Sequence, residues 1–315
     1  MWDPVLALSA VVPSVLLMVY FHRRDAYREP ILDLWLVFLA GIAIVGPVLL
    51  VARPLEPFIA AIEPPLVHGT AAAFLQAAIP EELFKFVVLW WVARRRRAFD
   101  EPMDGVVYGV AASLGFATLE NVLYVSNGGL AVAVTRALTA VPCHAFLGAI
   151  MGYFVGVAAF DPSRRKLGGA LALLVPITLH GIYDAPLLTA GRLAELGISP
   201  QPWSVALLSI APLVVVGEWI AAVRLSGHLR RRQLGEGAVV SRFERWSSYV
   251  LTAGGGVLAS LGALVVLAGS WLVLVGRFQG ESVGHLMAVG TVAGVTPALI
   301  GVALFLWGIR RLNES

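Results

Sequence analysis

The sequence predicts an all-α, polytopic transmembrane helical bundle of about nine spans, and three observations carry that prediction. Of its 315 residues, 58% are hydrophobic and 14% charged, and the mean hydropathy is +0.82, which does not describe a soluble domain of this length. Apolar runs of about 20 residues, the length that crosses a bilayer core, recur along the chain. Arg and Lys gather in every second connection between these runs, as cytoplasmic loops do.

The first run, 5–21, has no basic residue before it, and Arg23, Arg24 and Arg28 follow it. It is expected to persist as an anchor with the N-terminus outside, not to act as a cleavable leader. Run 31–52 returns outward, and run 70–92 comes back to Arg94, Arg95, Arg96 and Arg97. Runs 105–125 and 137–159 form the next pair and end at Arg164, Arg165 and Lys166. Runs 167–188 and 203–223 lead to Arg224, Arg230, Arg231, Arg232, Arg242 and Arg245. Runs 249–275 and 285–309 precede Arg310 and Arg311, which puts the C-terminus in the cytoplasm. The opposite connections or helix starts hold only Arg53, Arg136, Arg192 and Arg277.

Three units are expected: leading helices in 1–69, a polar four-helix core in 70–190 that would hold any chemistry, and accessory helices in 191–315. The basic stretch 224–248 suits an interfacial helix against anionic lipid. No basic patch with interleaved aromatics points to nucleic acid. Cys143, the one cysteine, lies within a run and excludes an intrachain disulfide. Twenty-one Arg against two Lys suggests a GC-rich bacterial genome, and so a bacterial plasma membrane.

Inside these runs lie Glu81, Glu82, Glu120, His144, His180 and Asp184. An ionisable side chain at the membrane interior costs roughly 2.5–3.5 kcal/mol or more, so such groups are expected to face one another or water. Measured at 1.5 Å per residue from each cytoplasmic helix end, all six fall about 17–26 Å into a core about 30 Å thick. That layer lies in the outer half of the membrane.

The first motif, EELFK (81–85), follows Pro80, which either kinks its helix or begins a new helical segment. Lys85 stands on one face with Glu81. In FATLEN (116–121), Phe116 and Glu120 share a face, and Asn121 can donate to or accept from whatever Glu120 holds. In HGIYD (180–184), His180 and Asp184 stand one turn apart. His144 continues into Gly148, Gly152 and Gly156, a small-residue face that permits close helix contact. Each motif also has a plain structural interpretation as an interhelical salt bridge or hydrogen bond. Asp33, Glu218 and the Arg94–Arg97 run take that plainer interpretation, the first two as groups near water and the last as a topology anchor. Cys143 points about 100° from His144 on a helix, which disfavours a Cys/His nucleophile pair.

In these motifs the chain resembles the PrsW family of intramembrane proteases, which belongs with the type II CAAX prenyl endopeptidases. EELFK is similar to that family's EExxK and FATLEN to its FxxxEN, while His144 and HGIYD are similar to its two later histidine motifs. RRDAYREP (23–30) and MDGVVYG (103–109) extend the resemblance over roughly 20–190. It implies a glutamate-dependent protease of membrane-anchored substrates, an anti-sigma factor in the best-known relatives. It also implies that Glu81 is the base on a water, with Glu82 beside it and Glu120, His180 and Asp184 around it. The CAAX enzymes have His where this chain has Glu120.

Two other readings fit the same residues. Glu120, His144, His180 and Asp184 are a credible set for zinc and a water, which would make the chain an intramembrane metalloprotease. The buried acids also suit a proton relay in a non-proteolytic, proton-coupled transporter, although no inverted repeat is visible. A catalytically silent scaffold is disfavoured by intact motifs. For a protease of any type, the expected partners are a transmembrane protein substrate and membrane lipid.

Overall fold

The computed structural model describes residues 4–198, 204 and 207–235, and these are helical with no strand among them. Predicted spans 249–275 and 285–309 lie outside the described residues, as does the basic stretch beyond 235.

Helix α1 runs Pro4–Arg24. After a short connection, α2 (Ile31–Ala43), α3 (Val45–Ala52) and α4 (Glu56–Ala60) follow one another almost without a break. Next comes α5 (Pro65–Ala72), then a π-helical turn at Ala73–Ala78, α6 (Ile79–Val87) and a second π turn at Val88–Val92. The first π turn has a local cause. Pro80 lacks an N–H and its ring crowds the carbonyl four residues back, so the preceding turn widens. Both arrangements expected of Pro80 therefore occur together, a distorted helix and a fresh start.

Helix α7 (Pro102–Leu138) opens with a capping box: Glu101 accepts from the helix backbone, and Asp104 accepts from the backbone N–H of Glu101. It is broken at Gly129, whose φ of 66° is open to glycine and strained for other residues. The residues after Gly129 fold back, carrying Arg136 to Glu120. Helix α8 (Ala140–Phe160) then runs antiparallel to the first part of α7, and α9 (Arg165–Glu195) and α10 (Ile210–Leu234) follow.

Among the described residues, five helical stretches are long and apolar enough to cross a membrane: Pro4–Arg24, Ile31–Ala60, Pro102–Phe160, Pro162–Glu195 and Ile210–Leu234. The third is 59 residues long and turns back on itself between Gly129 and Thr139. The run 65–92 is not among them; it is helical but carries Glu81, Glu82 and Lys85 at its middle. The seventh predicted span is displaced. Instead of ending at 223, α10 continues to Leu234, so Arg224 and Arg230–Arg232 stand on the same helix as the span, with Arg224, Arg231 and Arg232 exposed.

A glycine seam joins α7 to α8. A Cβ on Gly105, Gly109, Gly148 or Gly152 would run into the facing helix backbone, so the helices approach more closely than larger residues allow. This is the role expected of the face that continues from His144. The basic connections meet at one end of the bundle. There Arg24 donates to Ser226 Oγ and the Val223 carbonyl, Arg96 pairs with Asp33, and Arg230 donates to the Arg24 carbonyl. Arg96 and Asp33 therefore hold α2 to the end of the 65–95 run, beyond the simple anchoring expected of them. At the same end, burial pushes the Glu101 carboxyl up to about 7.

Candidate active site

Near the other end of the seam the separate motifs meet. Lys85, on α6, is 1% exposed and stands at the centre. Its ammonium donates to Glu82 Oε1 at 2.7 Å, Glu81 Oε2 at 3.2 Å and His144 Nδ1 at 3.1 Å. His144 Nε2 donates in turn to Glu120 Oε2 at 3.0 Å, which joins α8 to α7. His180, on α9, has Nδ1 2.8 Å from Glu82 Oε1 and Nε2 3.1 Å from Asp184 Oδ2, with Glu81 Oε2 at 3.9 Å. The two imidazoles meet edge to face at 5.2 Å between ring centres. Phe116 walls one side, with the Lys85 ammonium 4.4 Å from its ring centre.

All six ionisable residues singled out in the sequence thus share one connected network, together with Lys85 and Phe116. Asn121 does something more. Its amide donates to the Ala10 carbonyl at 2.9 Å and its oxygen accepts at 2.8 Å from Nε of Arg136, the guanidinium that Glu120 holds, so it ties α1 to the returning segment as well as serving what Glu120 holds.

The sequence leaves one member of the site and one buried acid outside it unread. Arg136, taken as a residue beside an outer helix start, pairs with Glu120 Oε2 at 2.7 Å. The Gly128-Gly129 pair between them is the local signal that the chain turns there. Glu218, expected near water, is 1% exposed and touches the Cys143 thiol at 3.8 Å, while its Oε2 has no hydrogen-bond partner. Counting helical turns to the nearest arginine misplaced it, because α10 is longer and deeper than its apolar run.

Charge balance explains why this polar group holds together. An uncompensated buried charge costs several kcal/mol. Here Lys85 is shared by two carboxylates, Arg136 neutralises Glu120, and the histidines bridge the remaining gaps. An imidazole between two carboxylates has both ring nitrogens facing acceptors. One hydrogen beyond the neutral ring's own must therefore lie on His180 or on an adjoining acid.

A cavity of about 390 Å³ opens onto this network between α3, α5, α7 and α9. Glu81, Glu120 and Phe116 line it, along with apolar groups such as Val48 and Leu188. Glu82, fully buried behind Glu81, does not. Adjacent helical residues diverge by about 100°, so one acid of the pair faces the cavity while the other is held in the protein.

Comparison with known proteins agrees with the motifs. Residues 29–217 match the family model described as PrsW family intramembrane metalloprotease. Protease PrsW of Geobacillus kaustophilus is 38% identical over 185 residues, 58% of this chain and 80% of that protein. Protease PrsW of Bacillus subtilis is 37% identical over 180 residues, 56% of this chain and 79% of the relative. Protease PrsW of Halalkalibacterium halodurans is 33% identical over 232 residues, 72% of this chain and 99% of the relative. No solved structure matches. With the family model covering more than half of the chain, and with apolar helices of membrane-crossing length around a buried polar centre, this integral membrane protein belongs to the PrsW family of intramembrane proteases and is a peptidase.

Proposed function

We propose that the chain is an intramembrane endopeptidase that hydrolyses a peptide bond of a membrane-anchored, anti-sigma-factor-like protein, using water activated by Glu81. The observation that carries this reading is the placement of Glu81. It lines the cavity and also contacts Lys85 and approaches His180. A water beside its carboxylate has a base, and the mostly apolar cavity accommodates an unwound membrane segment.

In this mechanism Glu81 takes a proton as the water oxygen attacks the peptide carbonyl, and Glu120, on the same cavity wall, orients that water. Lys85, 3.2 Å from Glu81 Oε2 and behind the cavity wall, supplies a fixed positive charge next to the base. The proton reaches the departing amine from Glu81 or through His180, which Glu82 and Asp184 hold in position. His144 links Lys85 to Glu120 and keeps the two halves of the site in register. Asn121, committed to Ala10 and Arg136, acts on Glu120 through Arg136. By the distribution of arginines, the N-terminus is outside and the site lies in the outer half of a bacterial plasma membrane.

The test has two stages. Mass spectrometry of membrane-protein fragments from cells carrying wild type or Glu81→Ala identifies a fragment made only by the wild type. The purified pair is then reconstituted with that substrate. Glu81→Gln is expected to lose about 10²–10⁴-fold in rate, as removal of a general base does. Cleavage by Glu81→Gln at the wild-type rate refutes the assignment.

Zinc is the second reading, favoured by one observation: Glu81, Glu82, His144 and His180 each offer a ligand atom, and these lie within 4.8 Å of one another. This set includes both adjacent glutamates in place of the Glu120 and Asp184 expected from the sequence. It does not fit the ion as arranged. Lys85 occupies its centre, and both nitrogens of each histidine already face partners. Zinc would have to displace an ammonium from three contacts. Zinc content of the active protein, and activity after chelation and zinc return, separate the two readings.

A further inference from the structure

Far from the cavity, at the end where the basic connections meet, Asp25, Glu29 and Asp104 form a second buried cluster. They are 1%, 4% and 0% exposed, and one oxygen from each lies within 4.8 Å of the others. From Asp104 to Glu120 is 16 residues of α7, about 24 Å. The proposed peptidase chemistry uses none of the three.

Outer hydrogen bonds aim each carboxylate. Asp25 Oδ1 accepts from the Tyr27 backbone N–H at 3.0 Å and from Gln233 Nε2 at 2.7 Å. Asp104 Oδ2 accepts from the backbone N–H groups of Asp100 and Glu101 at 2.7 and 2.6 Å. Glu29 Oε2 accepts from the Tyr108 hydroxyl at 2.5 Å. The second oxygens of Asp25 and Asp104, Oδ2 and Oδ1, are buried with no hydrogen-bond partner. Among the described residues no basic side chain forms an ion pair with any of the three acids. Neighbouring Arg24 directs its guanidinium to Ser226, Tyr20 and the Val223 carbonyl instead.

Three converging carboxylates, two of them with an orphaned oxygen and none with an ion-pair partner among the described residues, are costly in a protein interior. Carboxylates oriented by outer donors are also what a preformed cation site requires. We propose that Asp25, Glu29 and Asp104 bind a divalent, oxygen-preferring cation of the Mg²⁺ class. The donors are all oxygens, with neither imidazole nor thiolate among them, which favours Mg²⁺ or Mn²⁺ over zinc. The bound ion would join the α1–α2 connection to the start of α7, and through Gln233 to the end of α10. By the charge rule this end faces the cytoplasm.

The competing account is that protons shared among the acids replace the ion. The experiment uses the full chain purified in detergent, stripped with EDTA and titrated with Mn²⁺ under electron paramagnetic resonance. Wild type is expected to show a saturable site that Mg²⁺ displaces. Asp25→Asn and Asp104→Asn should weaken it by at least the roughly 10- to 100-fold that loss of an outer partner causes at metal sites. His180→Ala, which disrupts the other cluster, should leave it intact. No saturable Mn²⁺ signal in wild type overturns the proposal and favours shared protons, a result that depends on no variant folding. Binding unchanged in Asp104→Asn, or abolished in His180→Ala, also overturns it by placing the ion elsewhere. Peptidase activity enters none of these outcomes, so the site stands or falls apart from the Glu81 mechanism.

Discussion

Lys85 offers the sharpest test of how the buried network is held. It is 1% exposed and Glu82 is fully buried, with 2.7 Å between their charged atoms. Removing one partner of a buried ion pair leaves the other uncompensated and costs about 3–5 kcal/mol. Lys85→Met should cost this much, because Glu81 and Glu82 both lose their cation. Glu82→Gln should cost somewhat less, because Lys85 keeps Glu81 and His144. The double variant removes both charges. It should therefore be more stable than the sum of the singles predicts, by a coupling in the upper part of the roughly 0.5–3 kcal/mol range for neighbouring residues. Unfolding of the four proteins by SDS in mixed micelles, followed by circular dichroism, gives the cycle. Additivity within about 0.5 kcal/mol, or a Lys85→Met cost below about 1 kcal/mol, would show that Lys85 is a solvated charge and not the centre of the site.

Gly152→Val places side-chain carbon against the Gly105 carbonyl and within 2.8 Å of Val106 Cα. It should destabilise by about 1–3 kcal/mol or more in the same unfolding assay, with cleavage lost as His144 shifts. Arg136→Ala removes a 2.7 Å ion pair that is partly exposed, so stability should fall by only about 1 kcal/mol. Cleavage, measured on the reconstituted substrate, should fall by up to about 100-fold as Glu120 loses its position. Glu218→Leu exchanges a buried acid with one thiol contact and an orphaned oxygen for an apolar group. It should raise the thermal midpoint, and a lowered midpoint would show that the carboxylate has a structural partner.

Much of the site is legible in the sequence because a membrane makes ionisable residues conspicuous. Glu81, Glu82, Glu120, His144, His180 and Asp184 each interrupt an apolar run, and counting turns from the helix ends puts them in one layer. The glycine face beyond His144 is legible for a related reason, since small residues at helical spacing have few uses but close contact. What the sequence hides depends on the chain turning back. Arg136 sits beside a helix start and looks solvated until the break at Gly129 folds it onto Glu120. Glu218 and the basic end of α10 were displaced because hydropathy marks where apolar residues stop, while the helix itself runs to Leu234. Asp25, Glu29 and Asp104 all lie near predicted helix ends, where charges are cheap, and only the tertiary fold reveals that they are buried together.

The two polar centres and the apolar rod between them belong to one design problem. Bringing acids, imidazoles and a lysine from several helices to hydrogen-bond distance demands placement to roughly 0.5 Å, which loosely packed helices do not maintain. Between Gly105 and Thr118, α7 has no charged side chain and is buried throughout, with glycines meeting glycines across the seam to α8. Close-packed interiors deform little, so Glu120 on α7 and His144 on α8 are fixed by the backbone contacts behind them as much as by their own 3.0 Å bond. The cost of burying charge at one end of this rod is thus offset by packing along its length. A site built this way tolerates the widened π turn before Glu81, since that turn borders the cavity while the close-packed seam of α7 and α8 lies behind Glu120 and His144. Irregular backbone is tolerated at membrane depth where it lines a cavity, and regular backbone stands where geometry must hold.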